Sequence, residues 1–314
     1  MGAIFVNAET LPEAWEQAVL KTWEQGDKIK TDYDKPEDPE SRDTSCLIVV
    51  KNPFAEPRIH KAFPGGLNDL WKYREEVVHG VRDHWINPEE GKWSYTYHGR
   101  LTAFPLVRVF GPDGKEKDPE NDLIDPETDT FRVDKINQLE GVLSDLERQS
   151  YSRRAIGGLW RPGFDIHHDD PPCLDLVQFR VFQGNKLNMH ILIRSNDAFK
   201  AAFMNMYAFT ELQKEMAKRL SEKRGEEIVP GEYRHLGFSF HIYGSYFNEF
   251  EGFLKLVEKR PDRYFYTDDP VVQGCFNDGR VELLQDTELP RKHRIRIYRE
   301  LPHDLQEKHR DLAA

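Results

Sequence analysis

PPCLDLVQFRVFQGNKLNMHILIRSNDAFKAAFMN, residues 171–205, is the stretch whose reading decides the fold. Residues 174–183 and 187–194 alternate between apolar and polar side chains. They meet at Gln183-Gly184-Asn185-Lys186, a composition that favours a tight turn, so a β-hairpin is expected. A helix is expected over 198–220, with Ala202, Met206, Phe209, Met216 and Leu220 along one side. Chemistry is concentrated in the same stretch. Cys173 follows two prolines, Arg194-Ser195-Asn196-Asp197 closes the second strand, and Asn205 lies one or two turns into the helix. A thiol, a cation, small polar groups and an amide suit a site that attacks a ring, holds a phosphate and reads a base edge.

Outward from this stretch the chain alternates helix and strand without an internal repeat. Leu11, Trp15, Ala18, Val19 and Trp23 give a helix over 11–24, and residues 67–81 give another that stops near Gly80. Residues 26–45, rich in Asp, Glu and Pro, read as a long loop, and 46–50 as a strand. The 111–130 segment reads as a surface excursion, and 133–148 as a helix with Ile136, Leu139, Val142, Leu143 and Leu146 on one face. Residues 155–159 and 239–243 are short strand candidates. From 253 to 314 helical and extended pieces alternate and close in a charged helix around 303–312. One α+β domain accounts for the pattern.

Composition narrows the function classes. The chain has 314 residues, 38% of them hydrophobic and 32% charged, enough for a core that needs no staples. No apolar run approaches the roughly 18 residues of a membrane span, and no basic leader precedes an apolar one, so a cytoplasmic protein is expected. The three cysteines, Cys46, Cys173 and Cys275, are far apart and fit a reducing compartment. A net charge of −11 argues against nucleic-acid binding, though a local arginine cluster can still take an anionic small molecule. His167-His168-Asp169-Asp170 has metal-ligating residue types, but consecutive side chains rarely converge on one ion, and no metal is expected.

Several short motifs in order and register produce a family resemblance. Pro-Pro-Cys173, Gln178-Phe179, the hairpin, Arg194-Ser195-x-Asp197 and Asn205, with Ser152-Arg153-Arg154 upstream and His241-Ile242-Tyr243 downstream, resemble the core of the thymidylate synthase/dCMP hydroxymethylase family. The match spans 136–246, about a third of the chain, and marks a divergent member. It implies a large mixed β-sheet covered by helices, dimerising through the sheet.

Site roles follow from the resemblance alone. Cys173 resembles the nucleophile that adds to C6 of a pyrimidine nucleoside monophosphate, making C5 nucleophilic toward the one-carbon unit of 5,10-methylenetetrahydrofolate. Arg194 and Ser195 resemble phosphate ligands, Arg42 in the early loop a third, and Arg153 and Arg154 the pair donated by the other subunit of a homodimer. Gln178 resembles a residue of the nucleotide pocket, and His241 and Tyr243 the groups that bind the sugar hydroxyl. Tyr97 resembles the tyrosine that helps remove the C5 proton, Asp197 the folate-ring ligand, and Glu75 the catalytic glutamate. Asn205 favours uracil, because an amide can accept from N3–H and donate to O4, where cytosine-specific members carry Asp.

The expected activity is thymidylate synthase-like methylation of dUMP, with nucleotide 5-hydroxymethylation or non-catalytic nucleotide binding as alternatives. Four departures stand out. Leu174 follows the cysteine where His is typical. Ser239 replaces an Asp two residues before His241. No match to the family's folate-lining tryptophan pair is apparent, and residues 310–314 do not resemble its apolar closing tail.

Overall fold

A computed structural model describes residues 2–313; Met1, and Ala314 at the end of the C-terminal tail, lie outside the described residues. In chain order the first half comprises β1 (Ala3–Ala8), α1 (Leu11–Gln25), β2 (Asp27–Ile29), β3 (Ser41–Val50), β4 (Ile59–His60), α2 (Leu67–His79), α3 (Tyr97–Thr102), β5 (Phe104–Phe110), β6 (Glu116–Lys117), β7 (Thr130–Ile136) and α4 (Gln138–Arg148). The second half comprises β8 (Ile156–Gly158), α5 (Pro162–Asp165), β9 (Leu174–Phe182), β10 (Lys186–Asp197), α6 (Ala202–Arg224), β11 (Val229–Ile242), α7 (Phe247–Lys259), β12 (Tyr264–Phe265), α8 (Pro270–Leu284), α9 (Arg291–Glu300) and α10 (His303–Lys308).

The main sheet runs β1-β3-β11-β10-β9-β8, with β2 added against β3. Its pairings mix parallel (β1/β3, β10/β11) and antiparallel (β3/β11, β9/β10, β8/β9), which is the mixed α+β architecture expected. The β9–β10 hairpin turns through Gly184 (φ 73°) and Asn185 (φ 54°), the left-handed region that glycine and asparagine tolerate best. Helices α1, α4 and α6 cover one face, and the Trp15 indole donates to Ala198 O at 2.9 Å, pinning α1 to the end of β10.

The opposite face keeps apolar side chains in the open. Phe5, Leu47, Leu236, Leu192 and Leu176 are register partners in a row across five strands. Phe5 is 55% exposed, and Phe238 beside the row is 53% exposed. Isolated exposed apolar residues are ordinary, whereas a contiguous row across a sheet is less so.

Three segments differ from the sequence expectation. The 26–45 loop is shorter: β2 and the start of β3 pair at Asp27/Asp43, Lys28/Arg42 and Ile29/Ser41, leaving 30–40 as the loop. The 111–130 excursion contains β6, part of a separate three-stranded sheet β6-β5-β7. Residues 130–136 form β7 rather than the start of a helix, because Val133 and Ile136 pair with Val107 and Phe104. Helix α4 begins only after Asn137, whose side chain accepts from Glu140 N at 3.1 Å. The 253–314 segment completes α7 and supplies β12, α8, α9 and α10.

Candidate active site

A cavity of about 690 Å3 opens where the ends of β10 and β11 meet the start of α6. The β9–β10 register brings Cys173 to its wall. Leu192 pairs with Leu176 but Ile193 pairs with Leu174, so Asp175 is an extra residue that bends β9 just after the cysteine. Beyond this bulge Arg194 N donates to Cys173 O at 2.9 Å. The two prolines then have a local reason. Arg194 Nε donates to Pro172 O at 2.9 Å and Nη2 to Pro171 O at 2.8 Å, which holds the guanidinium with Nη2 3.9 Å from Cys173 Sγ. Burial pushes the Cys173 thiol up, the Arg194 charge pulls it back, and Asp170 and Asp175 oppose ionisation. Arg194 is therefore the group that favours the thiolate.

Parallel pairing of β10 with β11 sets Ser195 beside Ser239 and Asp197 beside His241. Ser195, Asp197, Asn205, His241 and Tyr243 all line the cavity with Cys173 and Arg194. Asp197 Oδ1 accepts from Phe199 N at 3.0 Å and Lys200 N at 2.9 Å; burial raises its carboxyl to about 6 against these bonds. The His241 and Tyr243 rings meet edge to face at 4.5 Å. Gly244 lets the 30–40 loop approach, since a Cβ there would lie 1.7 Å from Pro39 O, and this brings Tyr33 to 5.8 Å from the Tyr243 ring. At the helix wall Tyr73 donates to Asn205 Oδ1 at 2.6 Å, fixing the amide.

A second cavity of about 460 Å3 adjoins the first, sharing Tyr73, Tyr97 and Asp170, and is lined by Glu76, Trp93 and Tyr95 as well. Burial raises the Glu76 carboxyl to about 7, with Arg82 opposing and Asp83 adding to the rise. A carboxyl that titrates near neutrality can pass a proton in either direction. Tyr97 stands between the cavities, its ring 6.2 Å from Tyr95 and 6.0 Å from Phe209. Burial, then the neighbouring Cys173 and Tyr95, push its hydroxyl well above the ordinary range. Trp93 packs edge to face on Trp85 at 5.2 Å, and the Arg82 guanidinium caps Trp85 at 4.0 Å. This aromatic wall and adjacent carboxyl suit a flat heterocycle, so the residues present fit a folate ring.

A sequence model of the family described as thymidylate synthase matches residues 72–266. The chain belongs to the thymidylate synthase family. A protein named "Putative thymidylate synthase" in Methanocaldococcus jannaschii is 26% identical over 243 residues, covering 76% of this chain and 90% of that protein. One with the same name in Methanopyrus kandleri is 26% identical over 218 residues, covering 69% and 84%. Among solved structures, the thermostable thymidylate synthase A of Bacillus subtilis shares the fold, with a TM-score of 0.53 and 18% identity over 78% of this chain and 84% of that one.

Against this family pattern, three expected cavity residues are placed elsewhere. Glu75 is fully buried, and both carboxylate oxygens are taken by Arg74 and Arg296; Glu76 lines the cavity instead. The reason is helical phase: Trp71, Glu75 and Val78 share the stripe turned into the core, whereas Tyr73 and Glu76 share the one facing the cavity. Arg42 is in β3 with its guanidinium 5.6 Å from the Trp23 ring centroid and is not among the lining residues. Gln178 donates to Arg153 O at 2.9 Å and bears on the arginine segment, not the cavity. Arg153 and Arg154, expected to serve the other subunit's site, are exposed and line neither cavity of their own chain.

Trp85 and Trp93 form a ring pair that was unrecognised in the sequence. Seven residues of intervening chain hid it, and the Ile86/Trp93 bridge closes the gap. Among the described residues no three His, Cys, Asp or Glu side chains gather as a metal site, and no helix is long and apolar enough to cross a membrane.

Proposed function

We propose that this chain transfers a one-carbon unit from 5,10-methylenetetrahydrofolate to C5 of a pyrimidine nucleoside monophosphate, with dUMP as substrate and a methyl group as the product. The observation that carries the reading is the Cys173 thiol 3.9 Å from a fixed Arg194 guanidinium, in one cavity with Asn205 and Tyr97. Cys173 adds to C6, converting C5 of the ring into a carbon nucleophile; the bond to sulfur breaks again when the product leaves. Methylenetetrahydrofolate supplies the methylene carbon and the hydride that reduces it. Tyr97 and Glu76 serve the proton transfers, and Glu76 takes the part expected of Glu75.

Arg194 and Ser195 hold the phosphate. With its oxygen engaged by Tyr73, the Asn205 amide offers its NH2 group to a ring carbonyl such as O4, which favours uracil. Trp93, backed by Trp85, and Asp197 bound the folate. The aromatic wall favours methyl over hydroxymethyl, because it shields the exocyclic carbon from water. A homodimer forms through the open sheet face, which presents Arg153 and Arg154 to the neighbouring site.

The deciding experiment incubates the protein with 5-tritiated dUMP, dCMP, UMP or CMP and methylenetetrahydrofolate. Tritium release from dUMP with a product that carries a methyl group in place of the C5 hydrogen is expected. A hydroxymethyl product would replace the second half of the reaction. Nucleotide binding without release from any of the four would leave a binding protein.

A further inference from the structure

His241 is held by residues that the family pattern does not supply. On β11 Ser239 Oγ lies 3.0 Å from His241 Nδ1, and on the antiparallel neighbour β3 Asp43 Oδ2 lies 2.8 Å from the same Oγ. The hydroxyl has one proton to give. A carboxylate can only accept, so the proton goes to Asp43, and Oγ must then accept from Nδ1–H. Burial pushes the His241 imidazole down, with Asp43 opposing, so the ring is neutral and its single proton is on Nδ1. Nε2 is left as a bare acceptor, and it is buried with no hydrogen-bond partner in a side chain that is 4% exposed and lines the cavity. An orphaned buried acceptor is costly, and a ligand donor removes that cost.

We propose that Asp43 and Ser239 are positioning residues that hold neutral His241 with its proton on Nδ1, so that Nε2 receives a hydrogen bond from a sugar hydroxyl of the bound nucleotide. The ligand half of this inference rests on the nucleotide reading above; the tautomer half does not. An acceptor-only nitrogen is unsuited to a phosphate oxygen and suits an O–H donor. Asp43 thereby does from β3 what a carboxylate at position 239 would do directly.

The test has two arms. Nitrogen-15 NMR of the imidazoles, taken on full-length protein without nucleotide and assigned with His241→Asn, reads the tautomer. A pyrrole-like Nδ1 and a pyridine-like Nε2 are expected, shifting toward the other tautomer in Ser239→Ala and in Asp43→Asn but not in Ser239→Thr, which keeps the hydroxyl. A protonated Nε2 in the parent, or a tautomer unmoved by both substitutions, overturns the relay. The second arm compares binding of dUMP with 2′,3′-dideoxyuridine monophosphate. The parent is expected to prefer dUMP by on the order of tenfold, and Ser239→Ala to lose most of that preference while Ser239→Thr keeps it. A preference equal in parent and Ser239→Ala overturns the sugar assignment. Failure to bind any pyrimidine nucleotide overturns the nucleotide reading and leaves the NMR result to judge the relay.

Discussion

The two walls of the cavity are built in opposite ways. The β9–β10 wall draws Cys173, Arg194, Ser195, Asp197 and Asn205 from one hairpin and the start of the following helix. The facing wall draws Tyr73 and Glu76 from α2, and Trp93, Tyr95 and Tyr97 from the irregular segment before and into α3. A hairpin transmits register along its length, so a residue near one end predicts its neighbour across the ladder. A helix and a coil have no such rule between them. Their meeting is decided by packing over α6, to which α2 makes extensive contact. In the proposed function the first wall serves the ring and phosphate, and the second the proton transfers and the folate.

The most severe test of this division is Cys173→Ala. Tritium release from dUMP should fall on the order of 10⁴-fold or more, with nucleotide binding retained. Retained turnover would remove the hairpin wall from the chemistry. Next, Glu76→Gln should slow release by about 10²–10³-fold in kcat. Glu75→Gln should instead cost about 3 kcal/mol of stability, since it breaks a buried ion pair with Arg74 and Arg296, and leave the chemistry of the refolded fraction intact. The reverse pattern in the two variants would reassign the facing wall.

Glu76 also makes a pH prediction. Its folded carboxyl titrates at about 7 against an ordinary 4.5, so the folded protein holds a proton that the unfolded chain releases between those values. The group's contribution is therefore complete below about pH 4.5 and lost as pH rises through 7, on the order of 3 kcal/mol in all. Urea melts of parent and Glu76→Gln should show the variant gaining relative stability from about pH 5 to about pH 8. A pH-independent difference would mean that Glu76 is not buried protonated.

A third comparison sets the cavity against the open sheet face. Arg153→Ala with Arg154→Ala should raise the KM for dUMP about 10–100-fold. Mixing refolded subunits of that variant with Cys173→Ala should restore about a quarter of parental activity, through heterodimers with one intact site. No recovery would place the arginines in their own subunit's chemistry. The smallest effect belongs to Tyr73→Phe, which frees the Asn205 amide to turn. Discrimination between dUMP and dCMP should drop about five- to tenfold, with kcat on dUMP little changed. Unchanged discrimination would show that Asn205 is oriented by something other than Tyr73.

Legibility followed the same physical line. The hairpin, α1, α2 and α6 were readable because period and turn chemistry act over a few residues; Gly184 and Asn185 sit at positive φ, where the turn needs them. Val133 and Ile136 misled, because an alternating segment ahead of an apolar helix face extends the apparent helical period, and only pairing with β5 reveals the strand. Glu76 was legible in principle. Tyr73 and Glu76 are three apart on one helix, so placing one at the cavity places the other.

What the sequence determined by itself was the family and the residues of the hairpin wall: contiguous motifs carry their own geometry through backbone register. Tertiary structure alone decided which stripe of α2 faces the cavity and that Trp85 and Trp93 meet. It also decided that Asp43 on β3 meets Ser239 on β11 within hydrogen-bonding distance. Each of these is a contact between segments whose separation in the chain is unrelated to their separation in space, and only the packing of helices on the sheet brings them within hydrogen-bonding or ring-contact distance.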